Sequence, residues 1–178
     1  MGLKTFKGGV HPKDGKDLSK SKPIKELLPE GELVFPLSQH IGAPATPIVA
    51  VGDAVLKGQK IAEAGGFVSS PIYASASGTV KAIEPKLVST GSMVNSIIVE
   101  NDGQYEEAEG LPVKPLEEMT REEKINIIKE AGIVGMGGAG FPTHVKLAPP
   151  PGTKIDYVLV NGAECEPYLT CDYRLMLE

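Results

Sequence analysis

The chain has no apolar run approaching the ~18 residues that cross a membrane as a helix, and its opening Met1-Gly2-Leu3-Lys4 lacks the apolar stretch of a secretory signal. A cytosolic chain is expected from these two absences, one that meets a membrane only by docking on membranous partners. Tryptophan is absent and aromatic residues make up 5% of the sequence, so the core must be aliphatic. Only two cysteines occur, Cys165 and Cys171, too few and too close for a disulfide framework; free thiols in a reducing compartment are expected. A net charge of −5 excludes the basic face that displaces counterions from nucleic-acid phosphates, so no nucleic-acid partner is expected. The lysines of the opening segment, Lys4 to Lys25, are read either as a solvated arm or as a contact with an acidic partner or membrane surface.

What is abundant is turn chemistry. With 21 glycines, 15 prolines and 41% hydrophobic residues in 178, the composition suits short strands joined by tight turns. Residues 1–30 show little periodicity apart from a possible helical turn over 24–28, and read as an arm draped on a neighbour. From Glu32 onward, short apolar runs at 33–37, 46–51, 59–64, 71–74, 79–83 and 94–100 are each bounded by Gly, Pro, Asp or Ser, which predicts a compact β unit. Residues 101–115 are polar and acidic and read as a linker.

Thr120-Arg121-Glu122-Glu123 is a capping box, predicting a helix over 121–131 that stops at Gly132. The stretch Gly135-Met136-Gly137-Gly138-Ala139-Gly140-Phe141-Pro142-Thr143-His144-Val145-Lys146 follows. Its dense glycines bring bare backbone N–H groups to a ligand and a cation follows one short helix later, so an anion, most simply a phosphate, is the first candidate ligand. Gly135-x-Gly137-x-x-Gly140 satisfies the dinucleotide fingerprint literally, but that fingerprint carries meaning between a strand and the helix it opens, and here a helix comes first. A plain tight turn between packed helices accounts for the spacing equally well.

Pro142 is read as an early residue of a short helix, with Lys146 one turn above the loop. Ile155-Asp156-Tyr157-Val158-Leu159-Val160 then predicts a buried parallel strand, with a final helix from about Asp172 that Glu178 ends without a cap. At the strand's carboxyl end, Glu164 and Glu166 flank Cys165, and Asn161 offers both a donor and an acceptor; such a loop reads ribose hydroxyls or a flavin edge, or is simply a solvated acidic turn. His11, His40 and His144 are too scattered to define a metal site or a catalytic base, and no catalytic or metal-binding residue is assigned.

Two resemblances sharpen these readings. Residues 47–61 and 71–83 resemble the two halves of a biotinyl/lipoyl-type domain, the barrel-sandwich hybrid, with its Gly-Asp and Ser-Gly turns. A carrier domain needs a lysine at the tip of the joining hairpin. Here that hairpin is Gly65-Gly66-Phe67-Val68-Ser69-Ser70, so a swinging-arm role is not expected.

The second resemblance covers essentially the whole chain in one order. It includes Thr5-Phe6-Lys7-Gly8-Gly9-Val10-His11-Pro12, the barrel-like segment, residues 137–147 and Asn161-Gly162-Ala163-Glu164-Cys165-Glu166-Pro167. Together these resemble RnfC, a component of the Rnf complex, and, through the two loops, the flavoprotein subunit of respiratory complex I. The resemblance implies a mixed α and β fold: an arm over 1–30, a barrel-sandwich hybrid over 31–111, and an incomplete α/β flavin/NADH-binding domain over 112–178, inactive on its own.

It also implies a peripheral subunit on the cytoplasmic side of the cell membrane. Such a subunit passes electrons between NADH and ferredoxin through FMN and iron–sulfur clusters, with other subunits of a membrane-bound, ion-translocating complex as partners. By position, Gly137, Gly138 and Gly140 would approach the flavin phosphate or dinucleotide, Phe141 would stack on an aromatic ring and Lys146 would neutralise phosphate charge. Asn161 and Glu164 would face the flavin, and Glu166 the nicotinamide nucleotide, NAD(H). Met136 and Ala163 depart from the complex I pattern, which commonly has Arg and an acidic residue there. Cys165-x₅-Cys171 is not cluster spacing, so any [4Fe-4S] centre is expected in a part of the family absent from this chain. A cobalamin-reductase-like flavoprotein and a docking module without cofactor are the alternatives.

Overall fold

The computed structural model describes residues 10, 12–112, 114–136, 138–164 and 166–178. Most of the opening motif, with Gly137 and Cys165, therefore lies outside the described residues. The chain forms two compact units: Leu28–Thr153, and the described residues up to Leu27 together with Lys154–Glu178.

In the larger unit, seven strands form two antiparallel sheets. The strands are β1 (Glu32–Pro36), β2 (Thr46–Pro47), β3 (Ala54–Val55), β4 (Lys60–Glu63), β5 (Ile72–Tyr73), β6 (Gly78–Leu87) and β7 (Met93–Asn101). One sheet runs in the order β1-β7-β6-β3 and the other β2-β4-β5. Every run expected to be a strand contributes one, but 46–51 and 71–74 pair over only two residues each. Beyond those short pairings the amide of Gly52 donates to Val80 O at 2.8 Å, and that of Ala74 extends the contact with β4 by donating to Gln59 O at 2.9 Å.

Side chains from both sheets share one core: Phe35, Val55, Ile61, Val80, Ile97 and Val99 are all buried. It is aliphatic apart from Phe35, as the scarcity of aromatics requires. β7 is the central element, hydrogen-bonded on both edges, and its residues 96–99 are buried without alternation because both faces are covered.

The 101–115 segment is tied to the barrel rather than loose. Lys57 N donates to Glu106 O and Ala108 N to Lys57 O, both at 2.8 Å, and the Lys57 ammonium lies 2.9 Å from the Glu107 carboxylate. Helix α1 (Arg121–Glu130) follows with its capping box formed, Glu123 N donating to the Thr120 hydroxyl at 3.2 Å and Thr120 N to the Glu123 carboxylate at 2.8 Å.

The structure corrects two expectations, the first in the smaller unit. Residues 155–160 form no strand, and Tyr157, Val158, Leu159 and Val160 are 83–92% exposed. A buried parallel strand needs hydrogen-bonded neighbours and a covering layer, and the described residues of this unit contain no other strand to pair with it. Residues 24–28 are not helical either: the Ile24 amide is taken by the Glu178 carboxylate at 3.1 Å, and Pro29 disfavours helical geometry at Leu28. The arm's one helical turn is instead Lys16–Leu18, and helix α3 spans Cys171–Leu177.

Candidate functional site

In the larger unit, α1 sets the position of the glycine loop, and two contacts fix its carboxyl end to the barrel. Lys60 Nζ on β4 reaches the Glu130 carboxylate at 2.6 Å and that of Glu63 at 3.1 Å, and the Tyr73 hydroxyl on β5 donates to Glu130 O. Burial pulls the Lys60 pKa down, but the hydrogen bonds to Glu130 and Glu63 outweigh it and hold the ammonium above its ordinary value. Burial raises the Tyr73 phenol, so it stays protonated and able to donate.

The chain then turns at Gly132 and closes a loop on itself. Gly135 N donates to Phe141 O at 3.0 Å and Thr143 N to Ile133 O at 3.1 Å, pinching residues 135–141 into a compact excursion between α1 and the single-turn helix α2 (Thr143–Lys146). Pro142 caps α2 rather than lying within it. Gly138 and Gly140 take left-handed backbone angles, φ +57° and +58°, which side chains with a Cβ rarely adopt. The two differ in surroundings. A Cβ on Gly140 would press on Gln39 O and His40 Cβ at 3.3 Å, whereas one on Gly138 would meet no atom within 4 Å. The loop is thus packed on the barrel through Gly140 and open at Gly138.

Phe141 is half-buried, and the exposed Lys146 places its ammonium 6.0 Å from the ring centroid, at the outer limit of a cation–π contact. Between them His144 is buried, 5% exposed, with Nε2 donating to Phe67 O at 3.3 Å; its Nδ1 is buried without a partner among the described residues. Sequence reasoning found in His144 neither a metal ligand nor a catalytic base; in the structure it joins the loop helix to the barrel hairpin.

In the smaller unit, the acidic loop is organised by its own backbone and by the arm. Asn161 Oδ1 accepts from Ala163 N at 3.0 Å, and Glu164 Oε1 accepts from Asp172 N at 2.8 Å in the first turn of α3. Glu164, Cys171 and Asp172 bring their ligand atoms within 4.8 Å of one another. Glu166 is exposed, and its carbonyl accepts from Lys16. Lys16 is the residue sequence reasoning missed. Its half-buried ammonium donates to the carbonyls of Glu164, Glu166 and Leu169 at 3.0, 3.1 and 2.7 Å, using all three protons to hold the loop. Only a contact across about 150 residues defines that role, and no local spacing could signal it.

Residues 4–104 match the family described as the RnfC barrel sandwich hybrid domain, more than half of the chain. The chain belongs to the RnfC family. Residues 128–178 match a second family, the Nuo51 FMN-binding domain, which begins within α1 and takes in both loops. Three curated relatives are the C components of oxidoreductase complexes. The chain is 53% identical over 178 residues to that of the proton-translocating ferredoxin:NAD(+) oxidoreductase complex of Clostridium ljungdahlii. It is 47% identical over 173 residues to that of the Na(+)-translocating ferredoxin:NAD(+) oxidoreductase complex of Acetobacterium woodii. It is 43% identical over 178 residues to that of the ion-translocating oxidoreductase complex of Pseudomonas aeruginosa. These alignments take in 97–99% of this chain but 39%, 39% and 23% of the relatives, so the chain spans about two-fifths or less of their length.

Membership in the RnfC family, with the two sheets and the helices, bears out the mixed α and β class and the barrel-sandwich hybrid. The hairpin that carries the modified lysine in carrier domains is here pinned down. Buried Ser69 donates to Ala43 O at 2.8 Å and accepts from Gly65 N at 3.0 Å, and Ala43 N donates to Val68 O at 2.9 Å. In this RnfC-family chain the hairpin also receives His144, so it braces the helix after the glycine loop. Among the described residues, no helix is long and apolar enough to cross a membrane.

Proposed function

We propose that this chain is the FMN- and NADH-handling part of a peripheral subunit that passes electrons between NADH and ferredoxin in a membrane-bound, ion-translocating complex. The observation that carries the reading is the pinched glycine loop. Its backbone is left-handed at Gly138 and Gly140, open at Gly138 and followed by Phe141 and Lys146, within the segment that matches an FMN-binding domain. These residues fit a phosphate ester: backbone N–H groups reach the ligand where no Cβ intervenes, and a lysine supplies charge.

When bound, flavin supplies the exchange between a two-electron hydride and one-electron carriers. The chain's own residues bind and orient. Gly137, Gly138 and Gly140 hold the phosphate, Phe141 stacks on an aromatic ring and Lys146 neutralises charge. Asn161 and Glu164 face the flavin ring, and Glu166 lies toward the nicotinamide. In this reading residues 1–30 are an arm, 31–111 the barrel and 112–178 part of the flavin domain. The [4Fe-4S] clusters belong to other parts of the protein, which docks at the cytoplasmic face of the membrane on partner subunits.

The test is FMN titration by fluorescence quenching, with NADH titrated separately by calorimetry. Lys146→Ala is expected to weaken nucleotide affinity by about 1.5–3 kcal/mol, the value of a hydrogen bond to a charged group. Affinities unchanged in both Lys146→Ala and Glu166→Ala would refute the site.

A further inference from the structure

A cavity of about 590 Å³ in the larger unit lies between the glycine loop and the tip of the β6–β7 hairpin, and sequence reasoning assigned that hairpin tip no role. Gly138 and Ala139 form one wall, and Ser89, Thr90 and Ser92 of the hairpin tip form the other, with His40 at the base. Its size suits a mononucleotide moiety.

Three features of this cavity point to one kind of ligand. The first is charge: the chain has 23 acidic residues, yet none of the described residues lining this cavity is Asp or Glu. The second is the donor set. The hairpin tip is held by Val88 N donating to Ser92 O at 3.0 Å and Gly91 N to Val88 O at 2.9 Å, and its three hydroxyl-bearing residues, Ser89, Thr90 and Ser92, line the cavity. His40 Nδ1 donates to Ile41 O at 2.8 Å, which leaves Nε2 as an acceptor for a hydroxyl of the polyol. The third is Gly138, where a Cβ would meet no protein atom within 4 Å; its left-handed backbone faces open space. Hydroxyl donors, an imidazole nitrogen and a bare loop without a carboxylate suit a phosphate ester and its adjoining polyol.

We propose that the barrel supplies half of a nucleotide site, with Ser89, Thr90 and Ser92 binding the phosphate and polyol end of a nucleotide opposite Gly138 and Ala139. This rests on the cofactor reading above and adds that the barrel is a ligand-binding element as well as a scaffold. Both FMN and NADH carry the required chemistry, so the experiment has an arm for each.

The probes are FMN and NADH, each titrated into the full 178-residue chain, into the triple variant Ser89→Ala/Thr90→Val/Ser92→Ala, and into Thr90→Asp. The three side chains are exposed, so melting temperatures should match the wild type and affinity can be read separately from folding. The triple variant should bind one probe about tenfold or more weakly, as expected for lost hydrogen bonds to a charged group, and Thr90→Asp should weaken it further by repulsion. Ser92→Thr, which keeps the hydroxyl, should retain affinity. A loss for FMN marks the flavin phosphate as the occupant, and a loss for NADH marks the dinucleotide. Wild-type binding that persists undiminished in the triple variant and in Thr90→Asp overturns this proposal while leaving the cofactor reading intact. A wild-type chain that binds neither probe overturns both.

Discussion

Replacing Ser69 by alanine tests whether the hairpin is a brace. The side chain is completely buried and serves two backbone groups at once, donating to Ala43 O at 2.8 Å and accepting from Gly65 N at 3.0 Å. Each such bond is worth about 1 kcal/mol net. Gly65 is exposed, so water can satisfy its amide after the substitution, whereas Ala43 is half-buried and part of its carbonyl's desolvation goes uncompensated. The expected loss is therefore about 2–3 kcal/mol. For a unit the size of Leu28–Thr153, where each kcal/mol lowers the melting temperature by about 4 °C, that is about 8–12 °C. The assay is thermal melting by circular dichroism, with amide exchange at Gly65 and Ala43 reporting whether the hairpin loosens first. Ser89→Ala, at an exposed hydroxyl, is the control and should stay within about 0.5 kcal/mol of wild type. A melting temperature for Ser69→Ala within about 2 °C of wild type would refute the brace.

His144 presents the opposite case, a buried polar atom without a partner among the described residues. His144→Phe removes the unpartnered Nδ1 along with the 3.3 Å bond to Phe67 O and should stay within about 1 kcal/mol of wild type in urea unfolding, while His144→Ala leaves a cavity and should cost about 2–4 kcal/mol; equal losses in the two would show that the imidazole itself is required. The Lys114 ammonium, and then the Thr120 amide, hold the Glu123 carboxyl below its ordinary value. Its contribution to stability is therefore present above the unfolded carboxylate pKa of about 4.3 and lost as pH falls through the lower folded value. Glu123→Gln should flatten part of the acid limb of the stability curve below about pH 4.3, and an unaltered limb would count against the capping box.

What was readable in the sequence was local. The capping box at Thr120 to Glu123, the stop at Gly132 and the apolar runs ending in β6 and β7 are set by neighbours a few residues away, and each formed where expected. Residues 155–160 were misread because Ile-Asp-Tyr-Val-Leu-Val has strand composition, but a strand also needs an edge to pair with, which composition does not encode. The glycine loop was legible as a tight turn between two helices; its closure by Gly135 and Thr143 amides was not, since those bonds depend on how α1 and α2 meet. The contacts of Lys16 and His144, and the place of the hairpin hydroxyls beside the glycine loop, were invisible for the same reason: their partners or neighbours in the fold lie tens of residues or more away.

The missing carrier lysine and the buried Ser69 have one physical logic. A swinging arm needs a hairpin tip free in solvent, because the attached group must travel. A brace needs the reverse, a hairpin whose polar groups are satisfied by the body of the domain. Here Ser69, Val68 O and Gly65 N are all spent on residues 43–69 of the barrel itself, and a Cβ at Gly65 would come within 2.0 Å of Pro44 O, so the hairpin lies closely against its support. Phe67 O, a further acceptor of the tip, is directed to His144 on the helix that follows the glycine loop. The geometry that leaves no free tip for a mobile carrier is therefore the geometry that steadies the helix after the glycine loop, and the barrel's hold on that helix follows from the hydrogen bonds its hairpin makes.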